Sequence, residues 1–189
     1  MHKTKYNQAI TVTKEIEASR GELWNFISSP EYLNYCHPFC KKNTIIKWEK
    51  GNHSDILEYL NGLVYMRNFF KWEEKRGYSL LIGEENKQQS KVVWEINSQK
   101  NKTFLTITVY PYFLSNYPKF ISFIPYKFLI KPKLKSYLNS VIGGINFYMV
   151  NKIPVKRNMY GKHSWFSYCL LYTSPSPRDL STSRMPSSA

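Results

Sequence analysis

The sequence predicts an α+β fold in which a curved antiparallel sheet of about seven strands wraps around a long C-terminal helix. Three observations lead to this prediction. Apolar and polar residues alternate repeatedly between residues 10 and 110, and two short helical segments follow the first alternating stretch. After Tyr110 the apolar period changes to three and four residues. The length of 189 residues suits one domain with a substantial core.

The first strand is predicted over residues 10–18, where apolar and polar side chains alternate. Ser19 and Glu22 then have the spacing of a capping box, in which each side chain bonds the backbone N–H of the other residue. The helix that begins there ends before Pro30, and a second short helix is predicted over residues 31–35.

Six further strands with polar turns between them are predicted after the two helices. The Asn61-Gly62 pair is typical of a two-residue β-hairpin. The predicted strands cover residues 44–49, 55–60, 63–72, 78–82, 91–96 and 103–110.

The long strand over residues 63–72 could present either of two faces to the core. One face carries Met66, Asn68 and Phe70, and the other carries three charged side chains that would be costly to bury unpaired. We therefore predict that Met66, Asn68 and Phe70 point inward. Asn68 would then bond a neighbouring polar group or orient a ligand.

A long amphipathic helix is predicted near the C-terminus, with Pro132 near its start. Its apolar positions recur at three- and four-residue steps from Leu134 to Tyr148. Gly143 and Gly144 lie inside it, and glycine in a helix interior predicts that another group approaches the backbone closely.

Residues 8–167 resemble the START-like (SRPBCC) superfamily, which includes polyketide cyclases and lipid-transfer domains. The resemblance rests on the element order and on the opening segment ITVTKEIEASRGELWNFISSPEYLNY. The segments HPFCKKN, YLNGLVYMRNF, GYSLLIG and GKHSWFS are similar to a bacterial branch of that superfamily. The resemblance implies a helix-grip fold with an apolar internal cavity.

The resemblance and the predicted faces together indicate non-catalytic binding or transport of a small hydrophobic or amphipathic ligand, such as a lipid or an aromatic polyketide. No cofactor is expected. The alternatives are a cyclase- or dehydratase-like enzyme, in which Asn68 or a cavity tyrosine positions the substrate, and a polyanion binder. The predicted ligand-binding residues are Met66, Asn68, Phe70, Trp94, Ile107, Leu138 and Ile142.

The formal net charge is +14, but the lysines are spread along the chain, so we expect no nucleic-acid partner. Residues 112–131 are unusually apolar and are interrupted by lysines and prolines. They could form a lid over the cavity or lie at a membrane surface. We expect a cytoplasmic protein, with possible peripheral contact at the inner membrane face.

Cys36, His37 and Cys40 form the closest cluster of metal-ligating side-chain types, but their spacing matches no common zinc pattern. Tight packing of this loop is the favoured interpretation.

Residues 169–189 resemble the translation of a sequencing-adapter DNA. We therefore expect residues 1–168 to form a single domain, and residues 169–189 to be an artefactual or disordered tail outside it.

Overall fold

The computed structural model describes Tyr6, residues 8–112 and residues 123–167. Within this part of the chain, seven strands form one curved antiparallel sheet in the order β1-β7-β6-β5-β4-β3-β2. The strands are β1 (Ile10–Ile16), β2 (Cys40–Glu49), β3 (Asn52–Tyr59), β4 (Val64–Glu73), β5 (Gly77–Gly83), β6 (Ser90–Gln99) and β7 (Lys102–Tyr110). The predicted fold class is confirmed.

Two short helices connect β1 to β2, namely α1 (Arg20–Ile27) and α2 (Leu33–Cys36). The predicted capping box is present, since the Glu22 N–H donates to the Ser19 hydroxyl over 3.2 Å and the Ser19 N–H donates to the Glu22 carboxylate over 2.9 Å. The hairpin predicted at Asn61-Gly62 joins β3 to β4, and Gly62 has the positive φ of 86° that favours glycine.

The long helix α3 (Lys131–Asn151) follows a π-helical turn at Tyr126–Ile130. The N–H of Lys131 bonds the carbonyl of Tyr126 five residues earlier. Pro132, which has no N–H to continue the bonding ladder, comes next. One face of α3 is buried against the sheet and α2, and it includes Leu134, Leu138, Val141, Ile142, Ile145 and Met149.

Two sheet edges remain, β1 at one end and β2 at the other. Strand β2 pairs with β3 through a register that shifts twice, between Cys40 and Lys42 and between Ile45 and Lys47. Strand β4 has a comparable bulge between Phe69 and Lys71 in its pairing with β5. The bulge in β4 leaves Lys71 and Glu73, which follow it, on the outside of the sheet.

Candidate functional site

A cavity of about 770 Å³ lies between the sheet and α3. Its walls come from α2, from strands β3 to β7, from α3 and from the segment that follows α3. The apolar walls include Leu57, Leu80, Val92, Trp94, Ile107, Val109, Leu134, Leu138 and Val141. A space of this size is in the ordinary range for small-molecule sites in proteins.

Three of the seven predicted ligand-binding residues, Trp94, Ile107 and Leu138, line this cavity. Trp94 and Ile107 lie directly opposite each other on β6 and β7. Ile142 is fully buried in the core and does not line the cavity. The ligand-binding role of these residues stays a prediction.

The predicted inward face of β4 is wrong. Phe70 is 57% exposed and lies beside the exposed Lys71, and neither Met66 nor Asn68 lines the cavity. Tyr65 and Arg67 line it instead. The bulge between Phe69 and Lys71 has a further effect, because it leaves Lys71 and Glu73 on the outside.

Arg67 is buried because its charge is paired. Its Nε and Nη2 atoms donate to the two carboxylate oxygens of Asp55 over 2.6 and 2.5 Å. Its Nη1 donates to the Tyr32 hydroxyl over 3.2 Å, and Tyr32 in turn bonds the Tyr78 hydroxyl over 2.6 Å. Asp55 lies directly opposite Arg67 on β3. The two charges therefore neutralise each other inside the domain.

Sequence reasoning missed this pair, although a signal for it is present. Asp55, Leu57 and Tyr59 alternate along β3, so the face that carries two buried side chains also carries a carboxylate. An acidic residue on a buried face predicts a cationic partner on the next strand. Arg67, which lies opposite Asp55 on β4, is this cationic partner.

A second polar group joins His37, Tyr137 and Tyr59, all of which line the cavity. The Tyr137 hydroxyl lies 2.9 Å from His37 Nε2 and 3.1 Å from the Tyr59 hydroxyl. Burial, together with the positive charge of Arg67, lowers the pKa of His37 to about 3, so the imidazole is neutral at pH 7. Its Nδ1 accepts the backbone N–H of Phe39 over 3.2 Å. The proton of the neutral ring is therefore on Nε2, which donates to Tyr137.

Cys36 and Cys40, which belong to the cluster of metal-ligating side-chain types noted in the sequence, are buried and form no disulfide with each other. The Cys36 thiol contacts the Tyr32 carbonyl, and the Cys40 thiol contacts the Asn34 side-chain oxygen at 3.8 Å. Burial raises the pKa of Cys40 to about 12, which disfavours a nucleophilic thiolate. Within the described ranges, no three His, Cys, Asp or Glu side chains are grouped for metal binding.

Residues 112–131 were predicted to form a lid or a membrane contact. Of these, residues 113–122 lie outside the described residues. Its described part contains four apolar side chains that are 52–66% exposed, and we name them the apolar patch: Phe123, Ile124, Phe128 and Leu129. Ile130, the next residue, lines the cavity.

Residues 169–189 also lie outside the described residues. Among the helices that the structure describes, none is long and apolar enough to cross a membrane.

No family model matches the sequence, and no curated protein matches it. Solved structures do resemble the fold. DynU16, a protein of the dynemicin biosynthetic locus, is 14% identical with a TM-score of 0.59 over 78% of this chain. The alignment spans about half of DynU16, namely 49% of its length.

Two further solved structures agree with this similarity. A START superfamily protein from Mycobacterium smegmatis is 13% identical with a TM-score of 0.58, over 76% of this chain and 98% of that protein. CalU16 from Micromonospora echinospora is 12% identical with a TM-score of 0.53, over 76% of this chain and 77% of that protein. Likeness at these identities establishes the fold alone. The chain has the START-like helix-grip fold that its sequence predicts.

Proposed function

We propose that the protein binds a small apolar or amphipathic molecule in the cavity between the sheet and α3, and that it does so without catalysing a reaction. The observation that carries this proposal is the space of about 770 Å³ with predominantly apolar walls. Burial of apolar ligand surface contributes roughly 25 cal/mol per Å² before the costs of ordering, so such walls can supply most of the affinity.

Aromatic rings at one end of the cavity favour a ligand that itself contains rings. Phe166 stacks on Tyr59 with ring centroids 4.4 Å apart and lies 4.6 Å from Tyr137. Tyr65 packs edge-on against Tyr59 at 5.5 Å. Offset and edge-to-face contacts of this kind add to the energy of area burial. An aromatic polyketide-like molecule or a lipid that carries a ring therefore fits this end best.

The titratable groups of the cavity favour binding over catalysis. Both ring nitrogens of His37 have hydrogen-bond partners, so neither offers a lone pair as a general base. Burial raises the pKa of Tyr59 well above its usual value, and the nearby Tyr137 raises it further. A phenolate is therefore disfavoured at neutral pH.

The test compares two adjacent valines of β6. Val92 lines the cavity, whereas Val93 is not among its lining residues. Binding of the neutral fluorophore N-phenyl-1-naphthylamine would be titrated against the wild type, Val92→Trp and Val93→Trp. We expect at least a tenfold loss of affinity for Val92→Trp, because the indole projects into the cavity and takes up space that the probe needs, and little change for Val93→Trp. Failure of the probe to bind, or equal affinities for both variants, would overturn the proposal.

We further propose that the apolar patch contacts an anionic membrane surface and so gives a ligand access to the cavity. Lys127 lies within the patch, with its ammonium group 5.5 Å from the Phe123 ring and 5.6 Å from the Phe128 ring. The exposed Lys131 and Lys135 follow on α3. Apolar side chains flanked by cations are typical of protein surfaces that lie in a membrane interface.

Sedimentation with vesicles would test this contact. We expect binding to vesicles of phosphatidylcholine and phosphatidylglycerol (about 3:1) and at least a tenfold weaker association for Phe128→Ser/Leu129→Ser. The matched control is Val150→Ser/Ile153→Ser, which removes two exposed apolar side chains outside the patch. Equal binding of the two double variants, or no binding by the wild type, would contradict the proposal.

A further inference from the structure

We propose, on the basis of the function proposed above, that the cavity recognises an uncharged oxygen atom of its ligand through the paired hydroxyl groups of Tyr59 and Tyr137. Ketones, quinones, alcohols and phenols present such an oxygen. The inference follows from the number of hydrogen atoms in the His37–Tyr137–Tyr59 group and from its place in the cavity wall.

The group has one more hydrogen atom than it can use internally. His37 contributes the Nε2 hydrogen and each tyrosine contributes a hydroxyl hydrogen, which makes three donors. Two bonds connect the three side chains, at 2.9 and 3.1 Å, and each bond uses one hydrogen. Because Nε2 donates to Tyr137, one phenol hydrogen is left over whichever way the two hydroxyl groups are turned.

The leftover hydrogen has no acceptor among the residues that the structure describes. Tyr59 is buried and Tyr137 is half-buried, and their hydroxyl groups make no other hydrogen bond within the described ranges. Both side chains line the cavity. A buried donor without a partner is costly, so a ligand oxygen at this place would recover a hydrogen bond.

The electrostatic balance of the cavity favours an uncharged oxygen over a carboxylate. Arg67 is the cationic side chain among the described lining residues, and the carboxylate of Asp55 already neutralises it over two hydrogen bonds. His37 is neutral. An anionic ligand group would therefore enter an apolar space without an unpaired counter-charge, which is unfavourable.

Fluorene and fluoren-9-one test the proposal, because they have the same ring skeleton and differ by the ketone oxygen. The measured quantity is the ratio of their affinities in each protein. In the wild type we expect fluoren-9-one to bind more tightly than fluorene. In Tyr59→Phe/Tyr137→Phe the affinity for fluoren-9-one divided by the affinity for fluorene should fall about three- to tenfold, as loss of one neutral hydrogen bond predicts. The imidazole Nε2 of His37 lies 2.9 Å from the Tyr137 oxygen that the double variant removes.

Single variants distinguish recognition of the ligand oxygen by the tyrosine hydroxyl groups from a general effect on the structure of the cavity. Tyr59→Phe and Tyr137→Phe each keep one hydroxyl group whose hydrogen becomes free, so both should retain a ratio close to the wild type. Tyr78→Phe is the control, since it removes a buried hydroxyl that bonds Tyr32 outside the cavity wall.

Three outcomes are informative. An unchanged ratio in the double variant would overturn the recognition of oxygen while leaving the binding function intact. A ratio that falls equally in Tyr78→Phe would also overturn it, because the effect would then be structural. If neither probe binds the wild type, and N-phenyl-1-naphthylamine does not bind either, the proposed function itself fails.

Discussion

Arg67 lies in the interior because its guanidinium group meets several partners at once. Asp55 accepts two of its hydrogen bonds and Tyr32 accepts a third. The rings of Tyr32 and Phe69 lie 5.4 and 5.3 Å from its central carbon. A buried charge of this kind depends on its counter-charge, since removal of one partner leaves the other in an apolar environment.

This dependence predicts a non-additive pair of substitutions. Arg67→Leu should lower the free energy of unfolding by about 3–5 kcal/mol, because it leaves the Asp55 carboxylate buried without a cation. Asp55→Leu/Arg67→Leu should lose less than the single variant does. Urea denaturation of Arg67→Leu, Asp55→Leu and the double variant measures the three losses, and single losses that add up in the double variant would contradict the explanation.

His37 predicts a pH dependence with a definite sign. The unfolded chain takes up a proton on this residue as the pH falls through about 6.5, whereas the folded protein does so only near pH 3. The folded state therefore binds fewer protons in this window, and stability falls as the pH drops from about 6.5 towards 3. Above pH 7 the group contributes no pH dependence.

We expect His37→Gln to remove this contribution, which amounts to about a tenfold change in the folding equilibrium per pH unit between the two pKa values. The glutamine amide keeps a donor for Tyr137. Urea denaturation at pH 7, 6, 5 and 4 would compare the slope with that of the wild type and of His53→Gln, whose histidine is more exposed. A slope that His37→Gln leaves unchanged would contradict the prediction.

The residue scale is where the sequence was least informative. Alternation in β6 and β7 placed Trp94 and Ile107 in the interior, because their strands have an apolar face and a polar face. In β4 both faces carry aromatic and polar side chains, so alternation offered two answers. The choice depended on whether Arg67 had a partner, and that partner lies on another strand. Pairing between strands is not visible in a single periodic segment.

At the scale of elements, the two glycines of α3 have different environments. A Cβ on Gly144 would lie 2.1 Å from the backbone carbonyl oxygen of Cys36, whereas a Cβ on Gly143 would lie 3.1 Å from the ring of the half-exposed Tyr160. The backbone of α2 cannot move away without disturbing the core, but the Tyr160 side chain can. The close approach expected from this glycine pair is therefore found at Gly144.

Alanine substitutions should have opposite effects at these two positions. Helix propensity favours alanine over glycine by about 1 kcal/mol at either one. We expect Gly143→Ala to keep or raise the melting temperature by a few degrees, and Gly144→Ala to lower it because α2 and α3 are forced apart. Thermal unfolding followed by circular dichroism measures both, and a stabilised Gly144→Ala would show that the contact is not tight.

Elements with a local signal were predicted closely. The Ser19–Glu22 capping box and the Asn61-Gly62 turn are read from residues near each other in the sequence. Strand β2 begins at Cys40, earlier than the predicted residue 44, because its first residues pair with β3 through a bulge. Bulges arise from the fit between two strands, so the alternation of one strand does not reveal them.

At the scale of the molecule, the four short segments that carried the family resemblance meet around one space. His37, Tyr59, Leu80 and Phe166 come from these four different segments, and all line the cavity. Residues so far apart in the chain are brought together by the order of the strands and by the return of the chain after α3. The fold class followed from the element order, but the strand order and the polar contacts inside the cavity did not.

Among the residues that the structure describes, β2 is an edge strand of the sheet, and this position has a consequence for how the protein behaves at high concentration. An exposed strand edge can recruit a strand from another molecule and begin aggregation. Strand β2 has three lysines, Lys41, Lys42 and Lys47, and two interruptions of its register. Cations and bulges are devices that natural sheets use against edge-to-edge association. We therefore expect these lysines and bulges to disfavour edge-to-edge association between copies of this protein.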